Sequence, residues 1–177
     1  ILLCGLPCSG KDTTALMLNK YNYNRIAFGD ALKSVCQLIR IDMLQAAITL
    51  KSLLPDIEPS VIGTHVYEWQ QLPKHDAKDR LMLQEVGTQC RKWNDDIWIN
   101  IVKQQIHNYP THSFAITDCR RIHEFESFKD FVSIYIDCSD DVIYKRLKKR
   151  DGYYDVDILT HEAEREIPSL KDKCDFI

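Results

Sequence analysis

The sequence predicts an α/β protein in which a central parallel sheet lies between two layers of helices. Short apolar runs at 1–4, 25–28, 113–118 and 132–137 have the length of buried strands. Segments with helical spacing separate these runs. Such alternation is typical of a parallel sheet, because each parallel connection crosses back through a helix. We therefore expect a three-layer α/β/α architecture.

Each connecting segment carries its own helix or loop signal. Asp30 has the side chain of a helix N-cap, and apolar residues continue at helical spacing from there to Leu50. The segment at about 55–75 holds three prolines and a glycine, so we expect a loop or an insertion there. The remaining predicted helices cover 11–20, 76–90, 96–107, 122–129 and 140–150.

Length and charge limit the class of protein. The 177 residues fit one domain, 1–177, and the net charge of −3 provides no basic surface for a nucleic-acid polymer. No apolar run approaches the roughly 20 residues that span a bilayer, so we expect no membrane partner. We expect small-molecule substrates instead, and the sequence leaves open whether the chain forms a homodimer.

Cysteine usage indicates the compartment. The seven cysteines are odd in number and form no C-x-x-C pair, which argues against both a zinc site and a disulfide framework. We therefore predict a reducing compartment, the cytoplasm, with the cysteines acting mainly as small buried apolar residues.

Both ends of the chain have the composition of interrupted strands. The first residue, Ile1, already belongs to an apolar run, and the last four residues are CDFI. We expect the natural chain to extend beyond both ends.

A glycine-rich loop follows the first predicted strand. Gly5 and Gly10-Lys11 match the spacing of the first part of the P-loop pattern, between a strand and a helix. In such a loop the backbone N–H groups point at phosphate oxygens, and the positive end of the next helix adds to the field. We expect this loop, including Ser9, to bind the phosphates of ATP, with Lys11 reaching the β- and γ-phosphates.

The residue after the lysine departs from the common pattern. Asp12 stands where Ser or Thr is usual, and Thr13 follows it. Either side chain can hold Mg²⁺, and the sequence leaves open which one does so.

A second acidic position ends the predicted strand at 113–118. An apolar strand that finishes in Asp118 has the layout of a Walker-B strand, whose carboxylate holds the hydration shell of Mg²⁺ or orients the attacking oxygen. Arg120 and Arg121 follow at the carboxyl edge of the sheet, where ligands bind in parallel α/β folds. We expect Asp118 and Arg120 to act in catalysis and Arg121 to contact the substrate.

Further cations are candidates for anion contacts. Arg91 follows what we interpret as a break in the helix over QEVGTQCR. Arg146 and Arg150 lie near the end of a basic helix, before the polar loop DGYYDVD. We interpret about 146–160 as a lid, in which Arg146 contacts ATP and Arg150 acts on the transferring phosphoryl group.

The chain resembles the phage-type deoxynucleoside monophosphate kinases, a branch of the P-loop nucleotide kinase superfamily. The segments that carry the resemblance follow the order of that family: SGKDTTA (9–15), FGDALK (28–33), LMLQEVGTQCRKWNDDIWI (81–99), ITDCRRIHEFE (116–126) and THEAEREIP (160–168).

The resemblance implies transfer of the γ-phosphoryl group of ATP to a (deoxy)nucleoside monophosphate, with Mg²⁺. It implies that Arg91 binds the acceptor phosphate and that the region at about 40–95 is an acceptor-binding insertion. FGDALK is also similar to the G-D-x-L-R segment of adenylate kinases, which implies that Asp30 and Lys33 lie near the acceptor. His161 and Glu162 match the family's segment after the lid only weakly.

Other readings stay open at this stage. The SGKD and T-D-C-R-R segments are also similar to animal-type phosphomevalonate kinases. A P-loop kinase for another small acceptor, such as phosphomevalonate or dephospho-coenzyme A, is therefore the second enzyme interpretation. An ATP-binding switch protein that hydrolyses ATP slowly is the non-kinase alternative.

Overall fold

The computed structural model describes residues 1–74, 79–151 and 165–177. The chain divides into two compact units, one made of Ile1–Ala27 and Gln105–Ile177 and the other of Phe28–Gln104. The predicted insertion at about 40–95 falls within the second unit.

The strands are β1 (Leu2–Cys4), β2 (Tyr23–Ile26), β3 (Ser113–Cys119) and β4 (Ser133–Tyr135). The helices are α1 (Lys11–Leu18), α2 (Phe28–Ile41), α3 (Met43–Leu53), α4 (Pro59–Gln70), α5 (Arg80–Trp93), α6 (Ile97–Asn108), α7 (Ile122–Glu126), α8 (Asp140–Asp151) and a last helix, α9 (Ile167–Leu170).

The first unit contains a four-stranded, all-parallel sheet in the order β2-β3-β1-β4. The predicted α/β class and its parallel sheet are thereby confirmed. Strand β1 lies at the centre and its three residues are fully buried, which explains why it is a continuous apolar run. At the edge, β2 carries polar residues such as the exposed Asn24.

The core of this unit forms between the sheet and α1. Leu3, Ala15 and Ala115 are fully buried and make up a common apolar cluster, and α1 packs on β2 and β3. Beside β4, Phe176 forms a parallel bridge with Ile134, so the predicted strand-like character of the last residues corresponds to one bridged position. Because the strands are parallel, the carboxyl ends of β1 and β3 lie at the same edge of the sheet.

The second unit is helical, from α2 to the greater part of α6. Helix α2 packs against α3, α4 and α5. The core side chains between these helices are fully buried: Ile39, Leu50, Ile62, Met82 and Val86. In α2, Val35, Cys36 and Ile39 are buried on one face, which is the amphipathic spacing that the sequence predicts.

A partly buried arginine links distant parts of this helical unit. Arg40 donates from Nε and Nη2 to the two carboxylate oxygens of Asp79, at 2.6 and 2.9 Å. Its Nη1 donates to the carbonyls of Gln70 and Leu72, both at 2.9 Å. The guanidinium thus joins the end of α4 and the start of α5 to α2 through a bidentate ion pair.

Three predictions of local structure are wrong. The segment at about 55–75 contains α4, which begins at Pro59, because proline is well tolerated in the first turn of a helix. Asp30 lies inside the first turn of α2 rather than at its N-cap. Helix α5 runs without a break through Arg91, since Gly87 lies against Leu32 of α2 and makes close packing possible.

None of the helices in the described ranges combines the length and the apolar character that a bilayer-spanning helix needs.

Candidate functional site

The loop after β1 has a backbone that requires its glycines. Gly5 and Gly10 have φ angles of +138° and +123°, a region that side-chain-bearing residues rarely adopt. A Cβ on Gly5 would also lie 2.6 Å from the carbonyl oxygen of Ile136 and 3.0 Å from Ser9 Oγ. The spacing of these glycines is therefore a backbone requirement, as the P-loop pattern predicts.

Lys11 and Ser9 bring polar atoms into this loop. The Lys11 side chain is 9% exposed, and its Nζ donates to the carbonyls of Gly5 and Leu6, both at 2.7 Å. Ser9 Oγ is buried and has no hydrogen-bond partner among the residues that the structure describes. A buried ammonium group and an unsatisfied hydroxyl on one loop suit phosphate oxygens, which accept from both.

Arg146 of α8 holds the same loop from the side. Its Nη1 donates to the carbonyls of Cys8 and Ser9 at 3.0 and 2.9 Å, and lies 3.7 Å from Cys138 Sγ. A Cβ on Gly10 would lie 3.7 Å from the same nitrogen. The structure therefore brings Arg146 to the phosphate-binding loop, where it contacts the backbone of the loop directly.

Asp12 forms an ion pair that the sequence reasoning missed. Arg25 Nε, on β2, donates to Asp12 Oδ1 at 2.7 Å, and the Asp12 side chain remains 68% exposed. Partial burial works against the charge of Asp12, but the hydrogen bond and the positive charge of Arg25 outweigh it and keep the pKa of the carboxyl below its ordinary value. A charged residue within a short strand was the signal that could have pointed to such a partner.

Thr13 and Thr117 complete this side of the site. Thr13 is exposed in the first turn of α1. Thr117, which the sequence reasoning also missed, is buried on β3, and its hydroxyl forms no hydrogen bond within the described part of the chain. It still lies close enough to favour the charged form of Asp12. A hydroxyl one position before the strand-terminal Asp118 was the available signal.

Asp118 lies near the end of β3, next to the strand that leads into the loop. Cys119 pairs with Cys4, so Asp118 lies at the edge of the sheet from which the loop begins. Arg120 and Arg121 follow in the turn before α7. Both of their backbone N–H groups donate to Glu124 Oε2, at 2.9 and 3.1 Å.

Glu124 is buried behind this turn. Burial is the main reason that its pKa rises to about 7, the N–H of Arg120 opposes that rise, and the negative charge of Asp118 adds to it. The structure thus groups Asp118, Arg120 and Arg121 around one short turn.

Arg150 lies in the last turn of α8 with two lysines and is exposed. It is on the same helix as Arg146, one turn later. The remainder of the predicted lid at about 152–160, and His161 and Glu162, lie outside the described residues.

Three of the predicted substrate contacts, Asp30, Lys33 and Arg91, lie in the second unit. Lys33 Nζ donates to Asp30 Oδ1 at 2.9 Å, and both side chains are exposed on α2. Arg91 is on α5, and a Cβ on Gly87 would lie 3.7 Å from each of its terminal nitrogens. Asp30, Lys33 and Arg91 therefore belong to the two helices, α2 and α5, that pack on each other in this unit.

Comparisons with known proteins give one finding on the family. A search of curated proteins returns no significant match. The family model described as an AAA domain matches residues 1–167, which include the phosphate-binding loop, β3 and α8. Together with the parallel sheet and the glycine-rich loop, this match shows that the chain belongs to the AAA domain family, within the P-loop NTPase superfamily.

Proposed function

We propose that the protein is a kinase that transfers the γ-phosphoryl group of ATP to a (deoxy)nucleoside monophosphate. The observation that carries the proposal is the arrangement at the carboxyl edge of the sheet. There a loop with a buried lysine lies beside β3, whose second-to-last residue is Asp118 and which leads into an arginine-containing turn. Phosphoryl transfer depends mainly on positioning and on fixed charges of this kind.

The candidate site residues of the first unit have the following roles in the proposed reaction. Ser9 and the N–H groups of the loop bind the ATP phosphates, while Lys11 holds the β- and γ-phosphates. Arg146 keeps the backbone of the loop in place through two carbonyls, 2.9 and 3.0 Å away. Arg120 and Arg150 neutralise charge on the transferring group, and Asp118 orients the attacking oxygen.

Mg²⁺ fits the donor atoms at this edge. Asp12, Thr13 and Asp118 offer carboxylate and hydroxyl oxygens, which are the ligands that Mg²⁺ prefers. Within the described ranges, no group of three or more His, Cys, Asp or Glu side chains is arranged to hold a metal by itself. We therefore expect Mg²⁺ to bind together with the phosphates of ATP, whose charge it neutralises.

Three proposed acceptor contacts, Asp30, Lys33 and Arg91, belong to the second unit. Their assignment rests on the resemblance of FGDALK and of the α5 segment to nucleotide kinases, with Lys33 and Arg91 as anion contacts and Asp30 as a further substrate contact. Arg121, which belongs to the first unit, is proposed as a substrate contact as well. Lys33 offers a single ammonium group in place of the planar fork of an arginine, so it would hold a phosphate with less geometric specificity.

An acceptor panel tests the proposal. ADP release from ATP and Mg²⁺ is measured with each common ribo- and deoxyribonucleoside monophosphate, and with phosphomevalonate and dephospho-coenzyme A. We expect at least one nucleoside monophosphate to stimulate ADP release. Stimulation by phosphomevalonate or dephospho-coenzyme A alone would replace the proposed acceptor, whereas release that no acceptor changes would indicate a nucleotide hydrolase or switch.

A further inference from the structure

Three consecutive backbone N–H groups in the turn after β3 all donate to carboxylates. The N–H groups of Arg120 and Arg121 donate to Glu124 Oε2, at 2.9 and 3.1 Å. The N–H of the next residue, Ile122, donates to Glu166 Oε2 at 2.6 Å. When the two carboxyl groups are ionised, these are charge-assisted hydrogen bonds, about twice as strong as those between neutral groups.

Glu124 provides the local half of this arrangement. It is the third residue of α7, and its carboxylate reaches back to the two residues that precede the helix. The side chain is only 8% exposed. Burying a carboxylate costs free energy unless the group is hydrogen-bonded. The two N–H donors therefore stabilise Glu124 in its buried position, and Glu124 in turn holds the two residues that carry them.

Glu166 provides the distant half. It lies 44 residues from Ile122 in the sequence and directly precedes α9. Ile167 and Leu170 of α9 are fully buried, and Ser169 donates from both its N–H and its hydroxyl to the carbonyl of Glu166. The backbone that carries the Glu166 carboxylate is therefore anchored independently of the turn.

The two carboxylates fix the position of the whole turn. Because its three N–H groups are already used, the backbone of this turn has no amide left to bind a phosphate at 120–122. Any anion that binds here must be held by the side chains of Arg120 and Arg121. The direction of those side chains depends on the backbone that Glu124 and Glu166 hold.

We infer that Glu124 and Glu166 are positioning residues that hold the β3–α7 turn and thereby orient Asp118 and Arg120 at the carboxyl edge of the sheet. This inference rests on the proposed kinase function for its effect on turnover, but not for its effect on the turn itself. Both glutamates act through the backbone N–H groups that they accept from, and neither is proposed to contact ATP or the acceptor.

The test compares alanine and glutamine at both positions. A glutamine Oε1 still accepts N–H groups, whereas alanine removes the acceptor. For E124A and E166A we expect faster amide hydrogen exchange at 120–122, measured by NMR, and kcat lower by about 10- to 100-fold with little change in KM for ATP. E124Q and E166Q should keep most of the protection of the 120–122 amides against hydrogen exchange and most of the wild-type kcat.

The matched control is E126A. Glu126 is on the same helix and forms an exposed ion pair with Lys173 at 3.7 Å. We expect E126A to change neither the exchange at 120–122 nor kcat. E166A matters most if E124A fails to fold, because the Glu166 hydrogen bond lies at the exposed side of the turn.

Two results would overturn the inference. One is unchanged exchange at 120–122 in E166A; the other is a loss of kcat in the glutamine variants equal to that in the alanine variants. If the wild-type protein turns over no acceptor, the proposed function fails, and the exchange measurement alone then decides whether the two glutamates hold the turn.

Discussion

Two cations, the buried Lys11 in the first unit and the partly buried Arg40 in the second, show how similar contacts serve different purposes. Lys11 of the first unit donates to two carbonyls of its own loop, five and six residues away. Arg40 of the second unit donates to a carboxylate 39 residues away and to carbonyls 30 and 32 residues away. Neutral carbonyls can be exchanged for phosphate with a gain in charge attraction, whereas replacing a carboxylate brings no such gain. The first contact therefore fits ligand binding and the second fits structural support.

The largest expected effect is at Lys11. We expect K11A to weaken ATP binding by about 100-fold or more, equivalent to roughly 3 kcal/mol, because a charged hydrogen-bond donor to the phosphates is lost. Isothermal titration calorimetry with ATP and Mg²⁺ measures the affinity of each variant for ATP. K20A is the control, since Lys20 is exposed beside Tyr21. Equal affinity of K11A and K20A for ATP would contradict the role of the loop.

The ion pair of Arg40 should matter for stability instead. We expect R40A to lower the free energy of unfolding by about 2–3 kcal/mol, because Asp79 and two carbonyls lose their partner in a mostly buried position. Urea denaturation of R40A, D79A and the double variant gives the coupling energy. The control is the exposed Lys33–Asp30 pair of the same unit, for which we expect less than about 1 kcal/mol. Similar coupling energies for the Arg40–Asp79 and Lys33–Asp30 pairs would show that the Arg40 ion pair has no special role in stability.

Arg146 and Arg150 sharpen the comparison within the first unit. Since Arg146 holds the loop carbonyls, R146A should weaken ATP binding, whereas R150A should lower turnover by about tenfold with little change in ATP binding. Steady-state kinetics combined with ATP titration separates the two effects. K148A serves as the control on the same helix. Unchanged turnover in R150A would indicate that Arg150 is an exposed residue at the end of α8 with no role in phosphoryl transfer.

The smallest expected effect is a pH dependence of stability that arises beside β4. Asp175 accepts from the N–H and the hydroxyl of Ser133, at 2.8 and 2.7 Å, and these hydrogen bonds lower the pKa of its carboxyl. A lowered pKa adds stability at pH values above the ordinary value of 3.8, and this stability is lost as the pH falls below it.

The measurement is the melting temperature at pH 6 and pH 3 for the wild type and D175N. We expect the melting temperature of the wild type to fall more between pH 6 and pH 3 than that of D175N, since an asparagine does not titrate. D172N is the control, because Asp172 lies three residues earlier in the same segment. An equal loss in wild type and D175N would show that this carboxylate contributes nothing.

The predictions from sequence succeeded where the signal was local. The P-loop spacing anticipated the positive φ angles of Gly5 and Gly10, and the apolar run before Asp118 anticipated β3. Prediction failed where a local signal has two meanings. The prolines at about 55–75 indicated a loop, but Pro59 opens α4, because the first helical turn does not need its N–H group.

The sequence by itself determined the α/β class, the phosphate-binding loop and the acidic end of β3, because each depends on residues that are close in the chain. Only the tertiary structure decided which partners those residues meet. Arg25 reaches Asp12 across 13 positions, Arg146 reaches Ser9 across 137, and Glu166 reaches Ile122 across 44. Such pairs leave no periodic or spacing signal in a single sequence, since the path of the chain through the fold brings them together.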